Sequence, residues 1–287
     1  MVAFDWYQAT VRAPADDVLE ALLARSDRRE LRHVRGIQGY GTTTKLLSDD
    51  QAGEVEVWHG GRHAYPHVRF TSDAAPGHAA ILRELYPEHS PSRIDVKADF
   101  EGAGVFDRTL PSLIDVARRH RIKVGCEGDH YLTKEGRTLN LGSRRSAVML
   151  RVYDKAAQMR AKLAHDPVRL LTVPDHLTRF EVEVKPPSDP MVRRMLATAE
   201  PSAFMGASGA VRDAWEAFGG EAVAPMRVTR AWRVSEDDRA YSYLVSTYGA
   251  LLSRRAEEHG SWECFGLQLR DDIAAVARAK RELERRR

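Results

Sequence analysis

Hydrophobic and polar positions along this chain change period repeatedly, and each change marks the edge of an element. Phe4–Arg12 alternates with the two-residue period of a strand. Pro14, Asp16 and Asp17 then form a helix start, and Val18, Leu19, Leu22 and Leu23 recur at helical spacing, predicting a helix that ends near Ser26. Short alternating runs at Thr42–Leu47, Glu54–Trp58 and His67–Thr71 predict three strands with turns between them, and a helix follows from Pro76 to Tyr86. The same order then returns. Arg93–Glu101 reads as a strand and Thr109–His120 as a helix; strands follow near Tyr131–Leu132, Arg137–Gly142, Val148–Lys155 and Thr178–Val184, and Asp189–Thr198 closes the run as a helix. No residue-level identity joins the two runs, so the repeat between 1–90 and 91–200 is one of element order. The expected class is α+β, a duplicated antiparallel sheet with helices on one face. Helical stretches at Gly209–Phe218, Asp237–Glu258 and Leu267–Arg286 predict a separate helical region over 201–287.

Composition narrows the class. The chain has 287 residues, 43% hydrophobic and 30% charged, which fits a globular protein with a sizeable core and excludes a disordered one. No apolar run approaches the roughly eighteen residues of a membrane span, and the start, MVAFDWYQATV, lacks the pattern of an export signal. Cys126 and Cys264 lie far apart and form no metal or redox pair, so a reduced, cytoplasmic setting is expected. The formal charge of +3 neither requires nor excludes nucleic acid, because a local basic stripe matters more than the total.

Chemistry gathers on three strands of the second run. In SRIDVKADF, Ile94, Val96, Ala98 and Phe100 share a face, leaving Arg93, Asp95, Lys97 and Asp99 on the other. In TRFEVEVK the polar face carries Arg179, Glu181, Glu183 and Lys185. In VMLRVYDK it carries Met149, Arg151, Tyr153 and Lys155, so a phenol stands between two cations, which favour its ionised form. If these strands share one sheet, carboxylates, tyrosine and cations meet on one surface. Two readings fit the pattern: cross-strand ion pairing on a wet face, which the pattern alone favours, and a divalent cation held by the gathered oxygens.

RIDVKADFEG, LNLGSRRSAVMLRVYDK and TRFEVEVK, in this order, resemble the Rep_trans type of rolling-circle plasmid replication initiators, whose relatives include relaxases of integrative and conjugative elements. Family members share an R-x-D strand, a G-S-R-x-S turn leading to an R-[IV]-Y-[DN]-K strand, and an R-x-E-[LIV]-E strand; the three motifs cover about Ser92 to Lys185. The resemblance implies a nickase domain over 1–200 that cuts and rejoins DNA at a replication or transfer origin. It implies Tyr153 as nucleophile, forming a 5′-phosphotyrosyl ester, and Asp95, Glu181 and Glu183 as ligands of Mg²⁺ or Mn²⁺. Asp99 is a weaker match for that set. Lys155 and Arg151 would neutralise the phosphate, and Ser143, Arg144, Arg145 and Ser146 would grip the DNA backbone. Implied partners are origin DNA, a host helicase or coupling protein, and a second copy of the chain.

Other features pull less strongly. Tyr131, in GDHYLTKEG, is a competing nucleophile outside the motif. His63 and His67 are split by Pro66 and make a poor helical ligand pair, and Gly60-Gly61 reads as a strand turn. No helix-turn-helix is evident, and the terminal run ARAKRELERRR is either a solvated helix end or a DNA contact. A non-catalytic single-stranded DNA-binding protein on the same scaffold is the competing reading. The acid set separates the two, since a binding surface gains nothing from carboxylates facing phosphates.

Overall fold

Strand β1 (Val2–Thr10) lies at the middle of one ten-stranded sheet because both of its edges are paired, to β5 (His67–Thr71) on one side and β6 (Ser90–Glu101) on the other. The computed structural model describes residues 1–48, 53–133, 135–228 and 236–285. The remaining strands are β2 (Glu30–Arg35), β3 (Thr42–Leu47), β4 (Val55–His59), β7 (Val124–Glu127), β8 (Thr138–Leu141), β9 (Val148–Asp154) and β10 (Leu177–Val184). Their order is β2-β3-β4-β5-β1-β6-β10-β9-β8-β7, and every pairing is antiparallel. Counted outward from the central pair, one side runs β1, β5, β4, β3, β2 and the other β6, β10, β9, β8, β7. The element order repeated in the sequence is thus also a repeated strand order.

Helices cover one face only. They are α1 (Ala15–Ala24), α2 (Ala74–Leu85), α3 (Val105–Arg119), α6 (Pro190–Thr198) and α7 (Gly209–Ala217), with the 3₁₀ segment Pro201–Gly206. Beneath them Tyr7, Val57, Phe70, Val96, Val152 and Val182 are fully buried, and each contributes about 1.5–3 kcal/mol by leaving water. Phe204 meets Phe4 edge-on, while Trp215 and Phe218 pack on Phe100 and Phe180. Two shorter helices, α4 (Lys155–Leu163) and α5 (Pro167–Leu170), instead wall one end of the uncovered face.

Four sequence expectations change. Tyr131–Leu132 is a turn and the strand of that region is β7, because the Asp129 carboxylate accepts the N–H groups of Tyr131, Leu132 and Thr133 and folds the segment back. Strand β2 was not legible, since all six of its residues are exposed and its charged side chains suit a sheet edge. Strand β9 stops at Asp154, which caps α4 by accepting the N–H of Ala157, so Lys155 opens a helix rather than ending a strand. Finally, the helical region expected from 201 divides: the chain forms two compact units, Met1–Arg230 and Ala231–Arg287, and the 3₁₀ segment and α7 belong to the first. The second unit is a pair of long helices, α8 (Glu236–Glu258) and α9 (Trp262–Arg285), packed on each other. The side chains of the terminal Arg-rich run lie almost wholly outside the described residues. Among the described residues, no helix is long and apolar enough to cross a membrane.

Candidate active site on the open sheet face

Pairing brings the predicted residues together. Glu183 lies opposite Asp95, Glu181 opposite Lys97 and Arg179 opposite Asp99 across β10 and β6; on the other edge of β10, Glu181 faces Arg151 and Arg179 faces Tyr153. The strand alternation therefore puts all of them on the uncovered face, and all but Glu183 line an open groove of about 1230 Å³. A β-bulge between Phe4 and Trp6 turns two successive residues, Asp5 and Trp6, onto the same face, and both line the groove.

The three acids are buried and held by guanidinium groups. Arg93 donates to both oxygens of Asp95, at 2.9 and 2.6 Å, and to Glu183 Oε2 at 3.1 Å. Arg151 Nη2 bonds Glu181 Oε1 directly and lies 3.5 Å from Asp95 Oδ2 and 3.7 Å from Glu183 Oε2. Lys185 Nζ pairs with Glu183 Oε1 at 2.7 Å. Burial pushes the Asp95 carboxyl up to about 7 against the pull of Arg93, and the charges of Glu181 and Glu183 add to the rise.

Tyr153 is nearly buried, and its O–H donates to Glu181 Oε2 at 3.0 Å. The sequence expectation of a phenol acidified by its neighbours is reversed: burial first, and the Glu181 charge second, raise its pKa well above the ordinary value of 10. The phenol is thus kept protonated, with its proton aimed at a carboxylate. Lys155 Nζ stands 5.9 Å from the centre of the Tyr153 ring and bonds Gln158 Oε1. Burial, then the Arg179 charge, lower the Lys155 pKa to about 8.

Arg179 completes the floor with bonds to both oxygens of Asp99 and one to Asp5, and Lys97 also pairs with Asp5. Burial alone would raise the Asp5 pKa, but Arg179 and Lys97 outweigh it and hold the carboxyl below its usual value. Asp5 and Trp6 are the site residues that sequence reasoning missed. A signal existed for both, since the apolar positions Phe4, Tyr7, Ala9 and Val11 skip once by three instead of two.

The turn Ser143–Ser146 closes the β8–β9 hairpin. Gly142 enters it at φ +102°, a value that suits glycine, and the two serine hydroxyls bond each other at 3.0 Å. Those hydroxyls therefore hold the turn, while Arg144 lines the groove and Arg145 points out to solvent. Tyr131, 91% exposed on the β7–β8 loop, does not line the groove. His67 bonds Thr10 and Ser92 through its ring nitrogens, and His63 stacks on Tyr40 instead. Gly60 and Gly61, at φ +69° and +70°, form the turn after β4.

Asp95, Glu181 and Glu183 are oxygen donors of the kind a hard divalent cation takes, but as they stand they do not fit one, because Arg93, Arg151 and Lys185 hold their oxygens, and among the described residues no group of three or more His, Cys, Asp or Glu side chains is arranged to hold a metal ion.

No family model matches this chain, and no curated protein is significantly similar in sequence. Among solved structures it is similar to a rolling-circle replication initiator protein from Geobacillus stearothermophilus, with a TM-score of 0.51 and 15% identity over 78% of this chain and 99% of that one. At that identity the likeness is one of fold, and the fold of this chain resembles that of a rolling-circle replication initiator.

Proposed function

We propose that this protein nicks and rejoins one strand of DNA at a replication or transfer origin, with Tyr153 as the nucleophile. The observation that carries the reading is the bond from Tyr153 O–H to Glu181 Oε2, inside a groove where acids and guanidinium groups meet. A phenol bonded to a buried carboxylate has a proton acceptor within reach, which a purely structural tyrosine on an open face does not need. The resemblance of the three motifs and of the fold to rolling-circle initiators supports the same reading.

In this mechanism the phenolic oxygen bonds to phosphorus as the bond to the 3′ oxygen breaks. The phenol proton passes to Glu181, and the leaving 3′ oxygen takes a proton from water, giving a 5′-phosphotyrosyl ester and a 3′-hydroxyl. The high pKa of Tyr153 means that proton loss and attack are concerted, since free phenolate is scarce at neutral pH. Lys155 and Arg151 face the phosphate and offset its growing charge. The ester keeps the energy of the broken bond, so the 3′-hydroxyl can reverse the step without ATP.

Covalent trapping tests the proposal. The protein and its Tyr153→Phe variant are incubated with Mn²⁺ and supercoiled DNA carrying the gene and its flanks, then denatured and probed for protein on a new 5′ end. An adduct with the unaltered protein alone is expected. DNA binding without any adduct, on DNA known to hold the origin, would instead favour the non-catalytic binding protein.

A further inference from the structure

The helix pair of the second unit buries little of its own apolar surface. Among the described side chains of α8 and α9 only Ala256 and Phe265 are buried, and on α8 Gly249 and Leu252 join Ala256 at helical spacing as half-buried positions. Beside that inward line α8 carries a second one. Tyr241, Leu244, Tyr248 and Leu251 recur at spacings of three, four and three, the period of a helix–helix seam, and all four are exposed. On α9, Trp262, Leu269, Ile273 and Val276 recur at seven, four and three and are exposed as well. These eight side chains are 37% to 69% exposed, although the two helices already pack on each other. Taking about 200 Å² for each ring side chain, Tyr241, Tyr243, Tyr248 and Trp262 together leave roughly 500 Å² open, and the aliphatic members of the stripes bring this to on the order of 1000 Å², against the roughly 800 Å² that a stable dimer takes from each partner.

The first unit offers no face to match. Its exposed large apolar residues stand singly or in small sets, such as Tyr131 with Leu132 on the β7–β8 loop and Val168 with Leu171 on α5. Among the described residues, the apolar surface of matching length is therefore the same helix pair on another copy. We infer that α8 and α9 form the contact between two copies of this chain, each pair laying its exposed stripes on the other so that four helices pack together. The two helices are 23 and 24 residues long, about 35 Å each, so neither overhangs the other in such a packing. A two-fold axis brings each stripe against its own counterpart, and a contact of that kind closes at two copies. The inference stands apart from the nicking reading, because no residue of the groove enters it.

Sedimentation velocity of the full chain without DNA, over about 0.1 to 100 μM, tests the contact. The unaltered protein should sediment as a dimer in the upper part of that range. Tyr248→Glu and Ile273→Glu, each placing a charge within a stripe, should weaken association by about tenfold or more. Ser246→Glu, on the far side of α8 from Tyr248, should leave it within about twofold. If either stripe variant loses its helical circular dichroism, Tyr248→Gln or Ile273→Gln, which adds no charge, replaces it and should weaken association in the same direction. A monomer at every concentration would overturn the inference. So would a dimer that the stripe variants leave unchanged, or one that Ser246→Glu weakens as much as they do.

Discussion

The two halves of the sheet follow one plan and put opposite electrostatics on the same face. On β3, β4 and β5, Lys45 and Arg69 pair with Glu56 at 2.9 and 2.8 Å, Trp58 Nε1 donates to its other oxygen at 2.8 Å, and Arg69 also reaches Glu54. Burial raises the Glu56 pKa, yet the bonds from Trp58 and Lys45 win and hold it below the usual value. On β6, β9 and β10 three acids share their cations, Asp95 is driven up to about 7, and a tyrosine proton is added to the network. Each cluster keeps one guanidinium whose buried Nε–H has no partner, Arg69 in the first and Arg151 in the second, but only the second holds a carboxyl pushed up by burial and a tyrosine proton, which marks it as the candidate for chemistry.

The sharpest way to test this contrast is to remove one aromatic from each half. Tyr153→Phe should lower adduct formation by on the order of 10⁴-fold or more, measured as initial rate on origin DNA. Trp58→Phe should leave that rate within about threefold, and its loss should appear as lower thermal stability.

A second pair exchanges charge for amide. Glu181→Gln should slow nicking by about 10²–10⁴-fold, because the phenol loses its proton acceptor. Glu56→Gln should leave nicking nearly intact but remove the charge between Lys45 and Arg69. That costs about 2–4 kcal/mol, or a melting temperature lower by roughly 5–10 °C in calorimetry. If Glu56→Gln proved the more damaging to nicking, the assignment of chemistry to the second half would be wrong.

The lysines of the two halves should separate by pH. The bond to Glu56 raises the Lys45 pKa, whereas burial lowers that of Lys155 to about 8. Nicking should therefore fall as pH rises through about 8, and Lys155→Arg should move that limb beyond about pH 10. Unfolding does not explain such a loss. An unfolded lysine keeps its proton to about pH 10, so this group opposes folding below pH 8 and opposes it less as pH rises from 8 to 10.

The smallest effect is expected at the rim. Arg32 on β2 and Arg169 on α5 line the groove at its two ends. Replacing either by Ala should reduce the slope of log affinity against log salt by about 1, and weaken binding without changing the adduct rate at saturating DNA.

Legibility followed the range of the interaction. Eight of the ten strands coincide with the predicted alternating segments; β2, uniformly exposed, and β7, four residues long, do not. Tyr153, Asp95, Glu181 and Glu183 were found on one face because each strand announces its own faces. Asp5 joined them through a bulge, and Trp215 and Phe218 joined the sheet core from a stretch that looked like part of the C-terminal helices. The skip from Phe4 to Tyr7 marks the first event, and nothing local marks the second.

The sequence by itself determined the element order, its repetition and the division of each strand into an apolar and a charged side, since these depend on residues two to four positions apart. Only the tertiary structure decided which cation meets which acid, that burial holds Tyr153 protonated instead of acidified, and that Arg93 and Arg151 share three buried carboxylates. Those outcomes depend on the pairing of residues 5, 95, 151 and 181, and on how much water their shared groove excludes. Charge and burial act through space, and a one-dimensional pattern carries neither distance nor dielectric.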